Sequence, residues 1–228
     1  MTLILPMIGS GYVAESGTVS FVAAGNYRIN VSTSCPLSVP TGTVVGDLLV
    51  ASTMSRSVTL TPTGWTNQVQ RVESSSTSQA TTIFTKVAEA GDLGSSINFQ
   101  QVSSSRFLGQ MLSFRKSTGS PSVLSTATSL QTNNTTHDLA SVTPTAEGQM
   151  VVVAGSFIYA NPSQATSISI IKPTGSDPDW IRTTSASIAQ NRLGVGYSEG
   201  VNGVSSVGNM QTSYSLSSQS PQLAVLLG

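Results

Sequence analysis

The sequence contains few charged residues. Only 9% of its 228 residues are charged, basic and acidic residues number 10 each, and the formal net charge at pH 7 is zero. Ordinary soluble domains carry about 25% charged residues. Nucleic-acid binding needs a concentration of Lys and Arg, and here the basic residues are scattered along the chain. We therefore expect no nucleic acid among its partners.

Cysteine and histidine each occur once, which limits the available chemistry. Cys35 has no second cysteine for an intrachain disulfide. His137 precedes Asp138 in a polar stretch that we interpret as a loop, and no partnered nucleophile accompanies it. P-loop, nucleophile-elbow and zinc-ligand spacings are absent from the sequence. We predict a protein with no enzymatic activity, no catalytic residue, no cofactor and no metal.

Two further shortages concern ligands. Asp177 and Asp179 in the stretch GSDPDW favour a turn, with a calcium site as the alternative, although Ca²⁺ takes six or more oxygens. Aromatic residues make up 6% of the chain. A polysaccharide cleft, which needs two acids and an aromatic lining, is therefore poorly supported.

The first residues, MTLILPMIGSGYVAESG, are apolar but lack the basic start of a signal peptide. Pro6 interrupts an apolar run that is too short to span a membrane, so we expect no membrane partner. We interpret residues 1–16 as an N-terminal arm, and we expect residues 1–9 of it to dock onto a neighbouring subunit or a larger shell. The alternative is that it forms the first strand of the chain's own sheet. The candidate docking residues are Met1, Leu3, Ile4, Leu5, Met7 and Ile8.

The apolar residues that follow recur with a period of two, which is typical of strands, and no long segment carries a helical stripe. Abundant Ser and Thr also disfavour helix interiors. We predict strands within 17–25, 27–33, 46–53, 55–62, 81–91, 97–102 and 107–116, each bounded by turn residues. The fold class is therefore all-β, an antiparallel β-sandwich of jelly-roll type, with residues 17–228 forming one domain.

One pattern occurs twice. VPTGTVVGDLLVAS at 39–52 and VTPTAEGQMVVVAGS at 142–156 share a Pro/Thr lead-in, a Gly, a polar residue and an apolar run. This repetition indicates two pseudo-duplicated halves, about 17–116 and about 139–228, joined by a surface crossover at 117–138. The alternative is that any two four-strand units look alike once their turns are aligned.

Six residues stand out as structural: Gly46, Asp47, Gly64, Trp65, Gly148 and Trp180. The glycines suit tight turns into buried strands, and the aspartate suits a cap of its turn. We expect the two indoles to plug the ends of the sandwich, with a tryptophan on a binding face as the alternative.

The ordered string VPTGTVVGDLLVAS…PTGW…TTIFTKVAEAGD…FQQVSSSRFLGQMLSFR resembles a diffuse family of tailed-bacteriophage structural proteins. The resemblance covers about 39–116 well and 142–228 loosely. Its motifs match Gly46 to Ala51, Gly64 with Trp65, and Lys86 with Ala88. It departs from the pattern at Gln149 and where Ser176–Asp179 separate a glycine from Trp180. The resemblance implies a β-sandwich component of a virion and no catalytic residue.

On this resemblance we expect a capsid decoration or cement protein that stabilises a shell through subunit contacts. Its partners would be the major capsid protein or other virion proteins, and its location the virion, assembled in the host cytoplasm. A homo-oligomer, with a trimer as the guess from shell symmetry, fits this role. The alternatives are a phage tail, fibre or receptor-binding component, and a carbohydrate-binding β-sandwich module.

Overall fold

The computed structural model describes residues 17–73, 79–132, 136–138, 140, 142–158, 168–171, 180–188, 191–198, 209–212 and 219–228. The strands are β1 Val19–Ala24, β2 Arg28–Ser38, β3 Leu48–Ser55, β4 Thr59–Leu60, β5 Thr66–Glu73, β6 Gln79–Val87, β7 Ser96–Lys116, β8 Val123–Thr132, β9 Thr136–Asp138, β10 Met150–Ile158, β11 Ile168–Ile171, β12 Trp180–Ile188, β13 Asn191–Ser198, β14 Asn209–Thr212 and β15 Gln219–Leu227. A single 3₁₀ turn, Ala90–Asp92, interrupts the described strands. All described strand pairs are antiparallel. The predicted all-β, antiparallel class is confirmed.

The first sheet takes all its strands from the first half of the chain. Its order is β1-β7-β3-β6-β5, with β2 and β4 also paired to β7. Central strand β3 has the sequence LLVASTMS and is buried at every position, because both of its faces are covered. A continuous buried run of this kind is what a doubly covered strand requires.

The second sheet has the order β12-β13-β10-β15-β8, and a third, smaller sheet has the order β11-β14-β9. Both take their strands from the chain after residue 122. Read from β8 to β12, the second sheet repeats the chain order of the first sheet read from β1 to β5. Strands β3 and β10, which begin two residues after Gly46 and Gly148, lie at the centres of their sheets.

The two larger sheets pack face to face on one apolar core. Residues of the first sheet in this core are Val19, Leu48, Val50, Met54, Ile83, Leu108, Leu112 and Phe114, and those of the second are Met150, Val152, Ala154, Leu193, Val195, Tyr197, Leu223, Val225 and Leu227. Phe21 stacks on Tyr197 across the two sheets with ring centroids 4.3 Å apart. Burial of apolar area in this layer is the main stabilising contribution to the sandwich.

A second core lies on the outer face of the first sheet. Strand β7 is 21 residues long. Its residues 96–101 pair with the second part of β2 and with β4, residues 105–109 pair with the first part of β2, and residues 107–116 pair with β3 and β1. The residues of this second core are Cys35, Leu37, Val39, Leu49, Ala51, Trp65, Phe84, Ala88, Phe99, Phe107 and Met111. Gly109 permits the close approach, because a Cβ there would lie 3.0 Å from the Leu37 side chain. The first sheet is thus buried on both faces.

The strands at the two ends of each five-strand order contain an irregularity. Shifts in register occur at Val22 in β1, Gln68 in β5, Leu124 in β8 and Thr183 in β12. The pairings of β3 with β6 and β7, and of β10 with β13 and β15, run without a shift over their described lengths. Bulges at edges are a common device against edge-to-edge pairing with another chain.

Several expectations from the sequence need correction. The jelly-roll connectivity is not confirmed, because each large sheet takes its strands from one continuous part of the chain. The segment assigned to a surface crossover contains β8, an edge strand of the second sheet. The predicted strand at 55–62 reduces to the two residues of β4. The two strands predicted within 97–116 are one strand, β7, which bridges two layers.

Candidate functional site

The motif residues of the first half meet at one end of the first sheet, which we call the turn end. It lies at the start of β3 and of β5. Gly46 has φ +95° and Gly64 has φ +80°, a region that residues with a Cβ rarely adopt. The amide of Gly46 donates to the carbonyl of Ala88 at 3.0 Å, and the amide of Ala88 donates to the carbonyl of Asp47 at 2.7 Å. The turn before β3 is therefore tied to the end of β6.

Asp47 is the centre of this turn. Its carboxylate is 2% exposed and accepts hydrogen bonds from Arg115 Nε and Nη2, both at 2.8 Å. The amide of Val44 donates to the same carboxylate at 2.8 Å, and Arg115 Nη2 also donates to the carbonyl of Gly42 at 3.1 Å. Burial opposes the charge, but the bonds from Arg115 and Val44 outweigh it and hold the pKa of Asp47 below its usual value. Asp47 thus fixes the turn and joins it to β7.

A second ion pair lies at the same end. Lys86 Nζ lies 2.9 Å from Asp92 Oδ1 and 3.1 Å from Glu89 Oε2. The hydrogen bond to Asp92 is the main reason that the pKa of Lys86 is raised. Asp92 also accepts the amide of Glu89 at 2.8 Å, so both of its oxygens are used in holding the 3₁₀ turn. These charges serve local structure.

Trp65 lies beside these pairs but belongs to the outer core. The Trp65 ring contacts the Phe99 ring edge-on, with centroids 5.2 Å apart. The Trp65 side chain is buried in the second core, between the first sheet and the outer layer formed by β2 and the first part of β7, which we call the β2–β7 layer. It therefore closes the end of the outer layer rather than the space between the two large sheets. No binding-face role follows from this position.

The second half has a turn of the same kind. Gly148 has φ +75°, and Gln149 Oε1 accepts the amide of Thr145 at 2.8 Å and that of Ala146 at 3.3 Å. Gln149 thus uses a neutral oxygen where Asp47 uses a carboxylate. Leu227 pairs with Met150 as Phe114 pairs with Leu48, so Gly228 occupies the place that Arg115 has in the first half.

The two turns also contact the opposite half of the chain. The amide of Val19 donates to the carbonyl of Gly148 at 2.8 Å. A Cβ on Gly148 would lie 2.9 Å from Cα of Thr18, and a Cβ on Gly46 would lie 3.6 Å from Oγ of Ser120. The segment that enters each large sheet therefore packs on the glycine turn of the other.

Some predicted residues fall elsewhere. The arm residues Met1, Leu3, Ile4, Leu5, Met7 and Ile8, together with Asp177 and Asp179, lie outside the described residues. Trp180 begins β12, and only its backbone is described. His137 lies in β9, paired with Met210, rather than in the loop that the sequence indicated.

The described residues offer little reactive chemistry. Among them, no three His, Cys, Asp or Glu residues are placed to hold a metal ion. Cys35 is fully buried, and burial raises the pKa of its thiol to about 12 against a weaker opposing effect of Arg28. The thiol is therefore protonated at neutral pH, whereas a nucleophile needs the thiolate. Across the same residues, no helix is long and apolar enough to span a bilayer.

The opposite end of the first sheet, which we call the distal end, exposes apolar side chains. Val31, Val58 and Val102 are 61%, 43% and 68% exposed, and Leu60 is 46% exposed. Arg56 and Arg106 flank them: Arg106 pairs with Val31, and Arg56 directly follows the last residue of β3.

Gln101 holds this end together. Its buried side-chain amide donates to the carbonyls of Ser32 at 2.6 Å and Ser105 at 2.8 Å, and its oxygen accepts from Ser57 Oγ at 3.3 Å. The amide of Val102 donates to the carbonyl of Val58 at 3.4 Å. Three segments that are distant in sequence are thereby fixed beside one another.

An open groove of about 310 Å³ adjoins the distal end. Its lining residues are Leu60, Thr61, Pro62, Thr63, Asn98 and Gln100. They offer hydroxyl, amide and aliphatic groups. Sequence reasoning missed both the groove and the distal end, because each contributing segment looks like an ordinary polar strand or loop when it is considered alone.

The chain matches no protein-family model, no curated protein and no solved structure. The likeness of its GDLLVA and PTGW motifs to phage structural proteins therefore rests on the sequence string alone. The geometry assigns those residues to turns, an ion pair and a core.

Proposed function

We propose that this chain is a non-enzymatic structural protein of a tailed-phage virion, and specifically a decoration protein that stabilises a capsid by binding across its subunits. The observation that carries the proposal is that the motif residues hold local structure together. Gly46, Asp47, Gly64 and Trp65 build a rigid turn end in which the carboxylate of Asp47 is fully engaged by Arg115. A motif used in this way supports a structural role.

The surface chemistry supports the same proposal. A chain with 9% charged residues and zero net charge suits extended polar contacts in an assembly more than long-range steering of a free molecule. Its partners would be the major capsid protein or another virion protein, and it would act as a homo-oligomer, with a trimer as the form that shell symmetry favours.

The alternative functions have less support. A sugar-binding module uses aromatic rings as stacking platforms, and the residues that line the groove include none. The described strands form compact sheets rather than the long repeats of many fibres. We therefore retain the decoration role as the proposal and treat a tail or receptor-binding location as an outcome of its test.

We also propose that the two halves of the sandwich are an internal duplication. The same strand order occurs in both large sheets. The bulge in β1 directly follows Phe21, opposite Phe114, and that in β8 directly follows Val123, opposite Leu227. The bulges in β5 and β12 each lie at the third residue after a tryptophan. Coinciding irregularities support duplication more strongly than periodicity does, because bulges are specific features of a family.

Locating the protein on purified particles tests the decoration role. We expect the purified chain, added to particles that lack it, to cover the head at fixed stoichiometry and to raise the temperature at which the head opens. Density only on the tail would replace the decoration role with the tail alternative. The absence of any attachment to particles would contradict both.

A grafting experiment tests the duplication. Residues 42–46 and 144–148 are segments of equal length that end on the glycines before β3 and β10. Replacing 144–148 by the sequence of 42–46, with Gln149 kept because Gly228 offers no partner for a carboxylate, should leave a folded, cooperative sandwich if the halves are equivalent. A scrambled 42–46 sequence at the same place is the control, and equal loss of folding in both would contradict the duplication.

A further inference from the structure

The edges of the sandwich are poorly suited to attachment. Among the described residues, the strands at the ends of the two five-strand orders, β1, β5, β8 and β12, each carry a register shift, and so does β2, which pairs with β7 alone. A bulge leaves one residue unpaired and bends the strand, so a partner strand cannot continue the ladder evenly. Attachment through the described part of the chain is therefore better served by an end of the sandwich.

Both ends expose valines, Val44 and Val45 among them at the turn end, but the two ends differ in how their charges are paired. At the turn end, the carboxylates of Asp47 and Asp92 are engaged by Arg115 and Lys86. At the distal end, exposed valines stand on a scaffold that Gln101 holds in place. Exposed apolar side chains that are already fixed in position lose little conformational entropy when a partner binds, so the entropic cost of binding is lower.

The charges at the distal end are unbalanced among the described residues. Arg56 and Arg106 lie close enough to interact with each other, and the one carboxylate that acts on Arg56 is that of buried Glu73. Burial and the positive charge of Arg106 together lower the pKa of Arg56, and the attraction of Glu73 does not offset them. An incoming anionic group would relieve this repulsion.

We propose that the distal end, formed by Val31, Val58, Leu60, Val102, Arg56 and Arg106, is the docking surface of this protein for an acidic protein surface that also offers apolar side chains. The valines contact the apolar part of the partner, the two arginines pair with its carboxylates, and the groove beside Leu60 receives an extended segment. This inference rests on the proposed attachment to a shell and names the surface responsible.

The apolar component favours a protein over a nucleic acid. Phosphate backbones bind through Lys and Arg and gain little from exposed valines. Interfaces between proteins combine an apolar centre with arginine and a polar rim, which is the composition of the distal end.

The test uses the full chain and three resins: a random glutamate–leucine copolymer, poly-glutamate, and duplex DNA. We expect the copolymer to retain the chain more strongly than the other two. The double variant Arg56→Gln/Arg106→Gln should bind the copolymer about tenfold more weakly, as loss of two charge pairs implies. Val31→Ser/Val102→Ser should weaken copolymer binding about three- to tenfold and leave poly-glutamate binding unchanged.

Matched controls come from the turn end. Val45→Ser and Lys116→Gln change an exposed valine and a cation there and should leave copolymer binding unchanged. Unchanged circular dichroism and thermal midpoints would exclude misfolding in each variant. The proposal would be overturned if all variants bound the copolymer equally. It would also be overturned if DNA retained the chain at least as strongly as the copolymer and the valine substitutions left DNA binding unchanged.

The same variants separate this inference from the decoration role. If the distal variants lose the copolymer but the native chain never attaches to particles, the docking surface stands and the decoration role fails. If the chain attaches to particles and only the turn-end variants release it, the decoration role stands and the distal end is the wrong surface.

Discussion

The two halves of this protein solve the same turn with different chemistry. Before β3, the carboxylate of Asp47 accepts the amide of Val44 and binds Arg115. Before β10, the amide oxygen of Gln149 accepts the amide of Ala146, and Gly228 takes the place of the arginine. A glycine with positive φ precedes both polar residues.

Comparison of the Asp47 turn with the Gln149 turn shows which features the turn itself requires and which occur in the first half alone. The turn needs a glycine and an oxygen acceptor, since Gln149 suffices without a charge. The first half adds a carboxylate, and a buried carboxylate is tolerated only with a partner such as Arg115. In return, the ion pair joins β3 to β7, the strand that carries the outer layer.

The largest expected effects test whether the two sheets contribute equally to the central core. Phe114 and Leu227 hold corresponding places, opposite Leu48 and Met150, and both are fully buried. We expect Phe114→Ala to lower the free energy of unfolding by about 3–5 kcal/mol and Leu227→Ala by about 2–5 kcal/mol. Urea titration measures both, and Leu124→Ala on the exposed edge should change stability by less than about 0.5 kcal/mol. A small effect at only one of the two would indicate that the sheets unfold separately.

The glycine turns should differ in their tolerance of a side chain. Gly46→Ala should cost about 1–2 kcal/mol, because alanine is strained at positive φ. Gly148→Ala should cost about 1–3 kcal/mol more, since its Cβ would lie 2.9 Å from Cα of Thr18. Thermal unfolding measures the difference.

Gly91 and Gly94 are the controls for that comparison. A Cβ at either position meets nothing within 4 Å, and of the two only Gly94 has a positive φ. Gly94→Ala therefore isolates the backbone strain, and Gly91→Ala should be close to neutral. If Gly148→Ala were no worse than Gly94→Ala, the contact between the halves at Thr18 would be unimportant.

The charged turn should depend on pH, and the neutral one should not. Because the pKa of Asp47 in the folded chain lies below its ordinary value, the contribution of Asp47 to stability is present above about pH 4 and is lost as the pH falls through the folded pKa. We expect Asp47→Asn to cost about 1–3 kcal/mol at pH 7 and progressively less towards pH 2.

Gln149→Ala is the counterpart and should cost about 0.5–2 kcal/mol, as loss of a turn cap does, at all pH values in this range. Urea titrations at pH 7, 4 and 2.5 give the comparison. If the free energy of unfolding varied with pH in the same way for Asp47→Asn and for the unaltered chain, the pair of Asp47 with Arg115 would not be what distinguishes the two halves.

The smallest effect concerns the outer core of the first half. Cys35 is buried there, and the pKa of its thiol is raised to about 12. At pH 8 a thiol reagent should therefore modify the native chain far more slowly than the chain in denaturant. Cys35→Ser should abolish the slow reaction. Rapid labelling of the folded chain would mean that the β2–β7 layer opens readily.

The sequence alone was sufficient for features that depend on neighbouring residues. Alternation with a period of two indicated strands, and Gly46 and Gly148 before apolar runs indicated tight turns, because side-chain direction and φ are local properties. The similarity between 39–52 and 142–156 could also be read directly, since each segment is continuous.

Only the tertiary structure decided which distant segments meet. β7 was predicted as two strands, because nothing in its sequence tells that one part covers the outer face while the other part completes the inner sheet. The pairing of Asp47 with Arg115 and the assembly of Val31, Val58 and Val102 into the distal end join residues that are far apart in the chain. Such contacts form because they accompany the burial of a complete sheet face, which lowers the free energy of the folded chain. That burial depends on several distant segments together, so the sequence of one segment does not reveal it.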